Sequence, residues 1–514
     1  MMEVHRKMER HRPGVVVDTI VAISTPPGRG GIGIVRLSGP EALTVAERLL
    51  LVSRPLEHAR VQRARVIDRQ GAGRATPGLP PVATEGQATQ TLDDAMVTVF
   101  RAPHSYTGDT VVEIAAHGSP VVLSALLRGA LDAGAALGAS VRLAEPGEFT
   151  RRAFLAGKMD LTQAEAVHDL IAAQTLDQAR IAAQQMGGAI AHRVTPPKGD
   201  LLHLIALLEA GMDFASGELD DVETVPPAQI QTGISSVEQP LLELERSFRH
   251  GQLLRNGAAI ALIGPPNAGK SSLFNRLLER ERAIVTPLPG TTRDTVEESL
   301  ALGGVPLRLI DTAGLRGGTH PTETSGLDLA EQQGILRSRE AMADADLVLL
   351  IHDVTQGWTL GEREIAAAFG AHVDEPAGTP LAGSPAQPLA RPHLVVQNKV
   401  DLLPAHATPP AHGICTSAVT GEGIETLRAA ILQQLGVGGG LAEAGALNTL
   451  RQHEAVRAAL AALAEAKAAN AGGLPHELIL MDLHRALAAL DALTGTTTPD
   501  DILERIFSTF CIGK

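Results

Sequence analysis

At 514 residues the chain is too long for one hydrophobic core, and a prior of about 150 residues per domain points to three or four units. Hydrophobic residues at 44% and charged residues at 20% suit a folded soluble chain, while aromatics at 2% argue against base stacking on aromatic platforms as a mode of RNA binding. A formal net charge of -14 argues against gripping nucleic acid with the whole surface, though a local basic face stays open.

Two cysteines, Cys415 and Cys511, form no CxxC pair, which removes zinc fingers and a disulfide framework and fits a reducing compartment. No apolar run approaches the ~20 residues that span a bilayer, so no membrane association and a cytoplasmic location are expected. The basic start, residues 1–14, lacks the apolar core of a secretory signal. It is expected to be a disordered extension or a misassigned start, with a transit peptide as the other reading.

In chain order, residues 15–156 mix β-rich runs (DTIVAI, GIGIVRL, AMVTVF, TVVEIAA) with a helix near residues 121–133, which predicts an α/β or α+β unit. The Gly, Pro, Ala and Thr segment at 71–90 reads as a flexible loop within it. Asp160 and Gln163 resemble a capping box, after which Val167, Leu170 and Ile171 keep helical spacing up to Gly187 and Gly188. Helices are expected to continue to about Arg255. Near the other end Leu480, Leu483, Leu487 and Leu490 form one stripe, stopping near Gly495. A second, Ile502, Leu503, Ile506 and Phe510, begins after Thr498, Pro499 and Asp501. The two helical sets are expected to pack as one bundle from which the middle of the chain projects.

In that middle, AAIALIG, VPLRLID, DLVLLIHD and HLVVQN alternate with helical stretches, the pattern of a mostly parallel sheet with helices on both faces. Residues 376–392 read as another Pro-, Ala- and Gly-rich loop. The expected fold class is therefore multidomain α/β, with boundaries at 1–156 (α+β), 157–252 (helical), 253–437 (α/β) and 438–514 (helical).

Residues 264–271, GPPNAGKS, lie between the strand AAIALI and a helix starting SLFNRLL. A polyphosphate needs backbone N–H groups turned around it, which Gly264 and Gly269 permit. It also needs a cation, Lys270, and a hydroxyl on Mg²⁺, Ser271. DTAG at 311–314 supplies Asp311, which can reach Mg²⁺ through water, and the Gly314 N–H for the γ-phosphate, with Thr312 and Ala313 between them. NKVD (Asn398, Lys399, Val400, Asp401) supplies an Asn amide for the base edge and a carboxylate that accepts both guanine N–H groups, which selects GTP over ATP. Ser417, Ala418 and Val419 suit the loop over the guanine oxygen. The nucleotide set is completed by Asn267, Ala268 and Ser272 of the phosphate loop and by Thr286, Pro287, Leu288, Pro289, Gly290, Thr291 and Thr292 of TPLPGTTRD.

After DTAG comes Leu315, which cannot orient an attacking water as a glutamine does, so another group must. Thr292 offers a second Mg²⁺ hydroxyl. Carbonyls near Thr286 and Leu288, with the Asn267 side chain, can hold a monovalent cation that neutralises transition-state charge.

The chain resembles the MnmE (TrmE) family of tRNA-modification GTPases over nearly its whole length. The stretches that carry this are DTIVAISTPPGRGGIGIVRLSG, SYTGDTVVEIAAHGSP, PGEFTRRAFLAGKMDLTQAEAVHDLI, the GTPase motifs with TPLPGTTRD, and the final FCIGK. The resemblance implies a folate-binding, dimerising N-terminal domain, a helical domain made from both flanks and an inserted GTPase domain. It implies a homodimer that works with the flavoprotein MnmG on wobble uridine of certain tRNAs, with a tetrahydrofolate derivative (5-formyl or 5,10-methylene) as one-carbon source. It also implies potassium-stimulated GTP hydrolysis.

By matching motif, folate contacts fall on Arg36, Glu113, Lys158 and Lys514. Potassium falls on Asn267, Thr286, Leu288 and Thr291, and Mg²⁺ on Ser271 and Thr292. The water-orienting acid matches Glu331, with Glu323 and Asp328 as alternatives because residues 316–331 are longer than the family pattern. Leu315 and Arg293 complete the expected catalytic set. Regulation of ribosome assembly and a non-catalytic scaffold that binds tRNA and MnmG remain the alternative functions.

Overall fold

The computed structural model describes residues 18–67, 91–215, 225–278, 299–311, 345–369, 392–404, 406, 410–436, 445–497 and 499–514. It divides into two compact units, one made of Met1–Glu165 and Thr494–Lys514, the other of Ala166–Leu493.

The first unit is built on a seven-stranded sheet in the order β3-β4-β5-β6-β2-β1-β7. Its strands are β1 (Thr19–Ile23), β2 (Gly30–Ser38), β3 (Leu50–Val52), β4 (Gln62–Ile67), β5 (Thr91–Phe100), β6 (Val111–Gly118) and β7 (Val141–Leu143), with β1 and β7 parallel. Alternation sends Val35 and Leu37 of β2, with Val112 and Ile114 of β6, into one core, covered by α1 (Ala42–Leu49) and α2 (Pro120–Leu137). Among the described helices α2 has the length and apolarity of a membrane span, yet its Leu123, Leu126 and Ala130 are buried in this core. The opposite face carries Arg36 and Glu113, cross-strand neighbours in the β2/β6 register.

Over that opposite face lies Phe149, fully buried with Ile20 and Ala22, at the start of α3 (Glu148–Leu155). Gly147 enters α3 at φ 66°, and a Cβ there would stand 2.6 Å from the Phe507 carbonyl oxygen, so glycine is required where the final segment crosses. That segment holds a helix at Asp500–Phe507, which burying Leu503, Phe507 and Phe510 fixes in the first unit. The expected stripe therefore shifts: Phe507 joins it, and Ile502 is 43% exposed.

The Asp160–Gln163 capping box is present, each side chain meeting the other's backbone N–H at 2.9 Å, and starts α4 (Leu161–Ala172). The helix does not run on to Gly187. A second capping box, Thr175 with Gln178, starts α5 (Leu176–Met186), because an extended Thr175 cannot be carried within a helix. Then follow α6 (Ala189–Ala215), α7 (Pro227–Arg246) and α8 (Phe248–Asn256). Leu201, Leu208, Ile234 and Leu241 pack with Val456 and Leu463 of α12 (Leu450–Ala471) and with Leu483 and Leu490 of α13 (His476–Thr494), so the early and late helices share one core.

Between α8 and α12 the chain forms a six-stranded sheet, β13-β12-β11-β8-β10-β9. Its strands are β8 (Ala258–Ile263), β9 (Ser299–Leu302), β10 (Val305–Asp311), β11 (Leu347–Asp353), β12 (His393–Asn398) and β13 (Ile414–Thr416), parallel except for β9. All seven residues of β11 are buried, as a strand covered on both faces requires. Its helices are α9 (Lys270–Leu278), α10 (Leu360–Phe369) and α11 (Ile424–Leu435).

Candidate nucleotide site and N-terminal polar cluster

Ligands of open parallel sheets bind beyond the carboxyl ends of the strands. Here β8, β11, β12 and β13 deliver GPPNAGKS, Asp353, NKVD and Ser417 to that edge. Asn267 (φ 67°) and Gly269 (φ 91°) are left-handed, the backbone form that turns N–H groups into an anion-binding concavity ahead of a helix N-terminus. A Cβ on Gly264 would lie 2.2 Å from the Ile351 carbonyl oxygen and one on Gly269 2.3 Å from Asn398 Nδ2, so neighbouring strands press on this loop from two sides. Lys270, 7% exposed, donates from Nζ to the Gly264 and Pro265 carbonyls at 2.8 Å each, which holds its charge against the loop. Ala268 is buried; Asn267, Ser271 and Ser272 are exposed.

Asn398 carries a structural role beyond the one expected of it. Its amide, assigned to the base edge, ties three loops together: Nδ2 donates to the Ala268 carbonyl at 2.9 Å, and Oδ1 accepts from Thr416 Oγ1 and Ala418 N at 3.3 Å. Lys399 follows with φ 68° and places Nζ 2.6 Å from Asp353 Oδ2. Burial raises the Asp353 pKa, but the hydrogen bonds from Lys399 and Thr355 and the lysine charge outweigh it and leave the carboxyl below its ordinary range. Val400 and Asp401 begin the turn Val400–Leu402, where Asp401 is exposed and able to accept from a donor pair. Ser417 is buried, its Oγ accepting from Thr420 N at 3.0 Å, and Val419 is 77% exposed. Sequence reasoning missed Asp353 and Thr416; an acid closing the apolar run DLVLLIHD was the available signal for the first.

In the first unit, Arg36 pairs with Glu113 at 2.8 Å, donates to the Gly513 carbonyl at 3.1 Å and lies over the Phe149 ring, 5.6 Å from its centroid. The Lys514 carbonyl accepts from Phe149 N at 3.1 Å, so Arg36, Glu113 and the FCIGK segment converge. Lys158 donates to the Pro103 carbonyl at 2.5 Å and is exposed. Phe149, absent from the expected set, is the platform of this cluster.

Asp311 is described only as the last residue of β10. Thr286, Pro287, Leu288, Pro289, Gly290, Thr291, Thr292, Arg293, Thr312, Ala313, Gly314, Leu315 and Glu331, with Glu323 and Asp328, lie outside the described residues, as do residues 1–14, 71–90 and most of the 376–392 loop.

A phosphate loop meshed with an NKVD loop at the carboxyl edge of a mainly parallel sheet defines a P-loop GTPase. Two family profiles match the chain: "MnmE helical domain" over residues 161–511 and "GTP-binding protein TrmE N-terminus" over residues 19–158. The tRNA modification GTPase MnmE of Koribacter versatilis is 47% identical over 97% of this chain and 99% of its own. That of Chloroflexus aurantiacus is 41% identical over 97% and 100%. Among solved structures, an Era variant from Aquifex aeolicus bound to GDP and aluminium fluoride is 25% identical over 40% of this chain and 66% of its own, with a TM-score of 0.24. The chain belongs to the MnmE family of tRNA modification GTPases, and it is a GTP hydrolase acting in tRNA modification.

Proposed function

We propose that the chain, as a homodimer joined with the flavoprotein MnmG in a heterotetramer, installs an aminomethyl or carboxymethylaminomethyl group on carbon 5 of the wobble uridine of certain tRNAs in the cytoplasm. A tetrahydrofolate derivative supplies the one-carbon unit, and potassium-stimulated GTP hydrolysis drives the cycle. The proposed division is a folate-binding domain to residue 156, a helical domain from 157–252 and 438–514, whose last segment, Thr494–Lys514, packs within the first unit, and a GTPase domain at 253–437.

The observation that carries the GTPase part is the contact of Asn398 with the Ala268 carbonyl, which joins the phosphate-facing and base-facing loops into one cradle. Ser271, exposed at the first turn of α9, is assigned to Mg²⁺, which would neutralise phosphate charge when bound. Asn267, exposed on the loop crest, is assigned to potassium together with Thr286, Leu288 and Thr291. Glu331 is assigned the attacking water. Supporting the folate part, Arg36 is 18% exposed beside the FCIGK segment and held from beneath by the buried Phe149 ring, offering a cation to an anionic ligand.

GTP turnover in potassium against sodium buffer, with and without MnmG, tests this. A large potassium effect, increased again by MnmG, is expected; equal turnover in both salts removes the potassium site from the proposal.

A further inference from the structure

Among the described residues of its loop, NKVD runs into one short turn, Val400–Leu402, so its first residues need an external brace. That brace is the end of the neighbouring strand. Asp353 is in register with Asn398, and Val354 N donates to the Asn398 carbonyl at 3.1 Å. Asp353 is 3% exposed and already oriented: Oδ1 accepts from Thr355 N at 3.0 Å and from Thr355 Oγ1 at 2.7 Å, which leaves Oδ2 facing Lys399 Nζ at 2.6 Å. One residue earlier, buried His352 meets Glu362 Oε1 at 2.9 Å and stacks on Trp358 with ring centroids 4.0 Å apart, fixing the strand end from the other side.

Lys399 is one of three described non-glycine residues with positive φ, a conformation that persists only where surroundings hold it. Its stem also runs beside the phosphate loop, since a Cβ on Gly269 would lie 3.9 Å from Lys399 Cε. A buried, pre-oriented carboxylate on a left-handed lysine is a device for fixing a loop in advance of its ligand.

We propose that Asp353 is a positioning residue for guanine-nucleotide binding: it locks Lys399, and through it the turn that presents Asp401, and so acts on nucleotide affinity and not on the hydrolytic step. This rests on the assignment of the base to Asp401.

The test uses full-length Asp353→Asn, Lys399→Met, the double variant and Asp401→Ala. GDP affinity is read by calorimetry, and KM and kcat for GTP by phosphate release. Asp353→Asn keeps the side-chain volume, and the fluorescence of Trp358 reports whether the sheet edge stays folded. Expected are a roughly tenfold rise in GDP Kd and GTP KM for Asp353→Asn with kcat at saturation within about twofold, and no further loss in the double variant beyond the worse single one. Losses that multiply in the double variant, a fall in kcat at unchanged KM, or unchanged affinity in Asp353→Asn each overturn the proposal. Unchanged affinity in both Lys399→Met and Asp401→Ala would remove the guanine assignment itself.

Discussion

The Asp169 carboxylate lies 2.8 Å from the Arg255 guanidinium, and its other oxygen accepts from Asn448 Nδ2 at 3.1 Å. Arg255 stands just before β8 and Asn448 just before α12, so one side chain of α4 holds the chain where it enters the six-stranded sheet and where it returns to the helices. Gln178 donates to the Arg255 carbonyl at 2.8 Å and Gln185 to the Ala446 carbonyl at 2.9 Å, adding backbone anchors on both sides. Removing Asp169, only 9% exposed, takes the carboxylate from a part-buried guanidinium and leaves Asn448 Nδ2 with Gln185 Oε1 at 2.9 Å. Asp169→Ala is expected to destabilise by about 2–3 kcal/mol, and Arg255→Ala by less, because Asp169 then keeps Asn448. Urea unfolding followed by the single tryptophan, Trp358, checks this; equal midpoints for Asp169→Ala and wild type contradict it.

Gly269 combines two constraints, a φ of 91° and the Asn398 amide 2.3 Å from where a Cβ would stand. Gly269→Ala must therefore push the phosphate loop and the NKVD loop apart. A loss of GDP affinity of at least about a hundredfold is expected, with far-UV circular dichroism unchanged, since the strain falls on a loop. Calorimetric titration that returned wild-type affinity would show the two loops to be independent.

Much of this was legible because it is local. Four expected strand runs of the six-stranded sheet are strands, and β11 could not be missed, since a strand buried on both faces reads as one apolar run. The edge strands β3 and β7 were not legible, because three-residue strands carry no period, and the interior β4 was missed although QRARVI alternates arginine with apolar residues. The break between α4 and α5 was hidden by apolar spacing that continues through it, although Thr175 and Gln178 carry the capping signature. The loop-tying role of Asn398 was out of reach, because its partner, the Ala268 carbonyl, lies 130 residues away. Nor does a motif setting disclose that Phe149 lies beneath Arg36.

With the base assigned to Asp401 as proposed, its choice follows from donor and acceptor arithmetic there. Guanine offers N1–H and an exocyclic N–H to a carboxylate, whereas xanthine replaces the exocyclic donor by a carbonyl. Asp401→Asn supplies one acceptor and one donor, so the variant is expected to lose GTP affinity by about a hundredfold or more and to prefer xanthosine triphosphate. Competition between the two nucleotides for the variant measures it. Retained preference for GTP would place the base elsewhere.

In the first unit two arginines bridge two carboxylates. Arg142 meets Glu148 at 2.7 Å and Asp18 at 2.5 Å, while Arg152 meets Asp18 at 2.6 Å and Glu148 at 3.0 Å. Burial raises the Glu148 pKa, but the hydrogen bond from Arg142, the Glu145 N–H and Arg152 outweigh it and leave the carboxyl below its ordinary value of 4.5. A carboxyl with a depressed folded-state pKa stabilises above its unfolded value and loses that contribution as pH falls through the folded one. The stability of this unit is therefore expected to be level above pH 4.5 and to drop progressively below it. Glu148→Gln removes the charge while keeping the shape, leaving the two guanidiniums to share Asp18. About 2–3 kcal/mol of destabilisation near neutrality is expected, because the site is only partly screened by solvent. Below pH 4.5 the variant's acid profile should be flatter than the wild type's, since one of the linked protons is gone. Thermal unfolding of both proteins between pH 7 and pH 3 decides it: parallel profiles would mean that Glu148 does not titrate with unfolding. The same substitution also loosens the start of α3, which carries Phe149 beneath Arg36, so its effect on affinity for the proposed folate ligand should exceed that of Arg63→Gln, an exposed pair on β4.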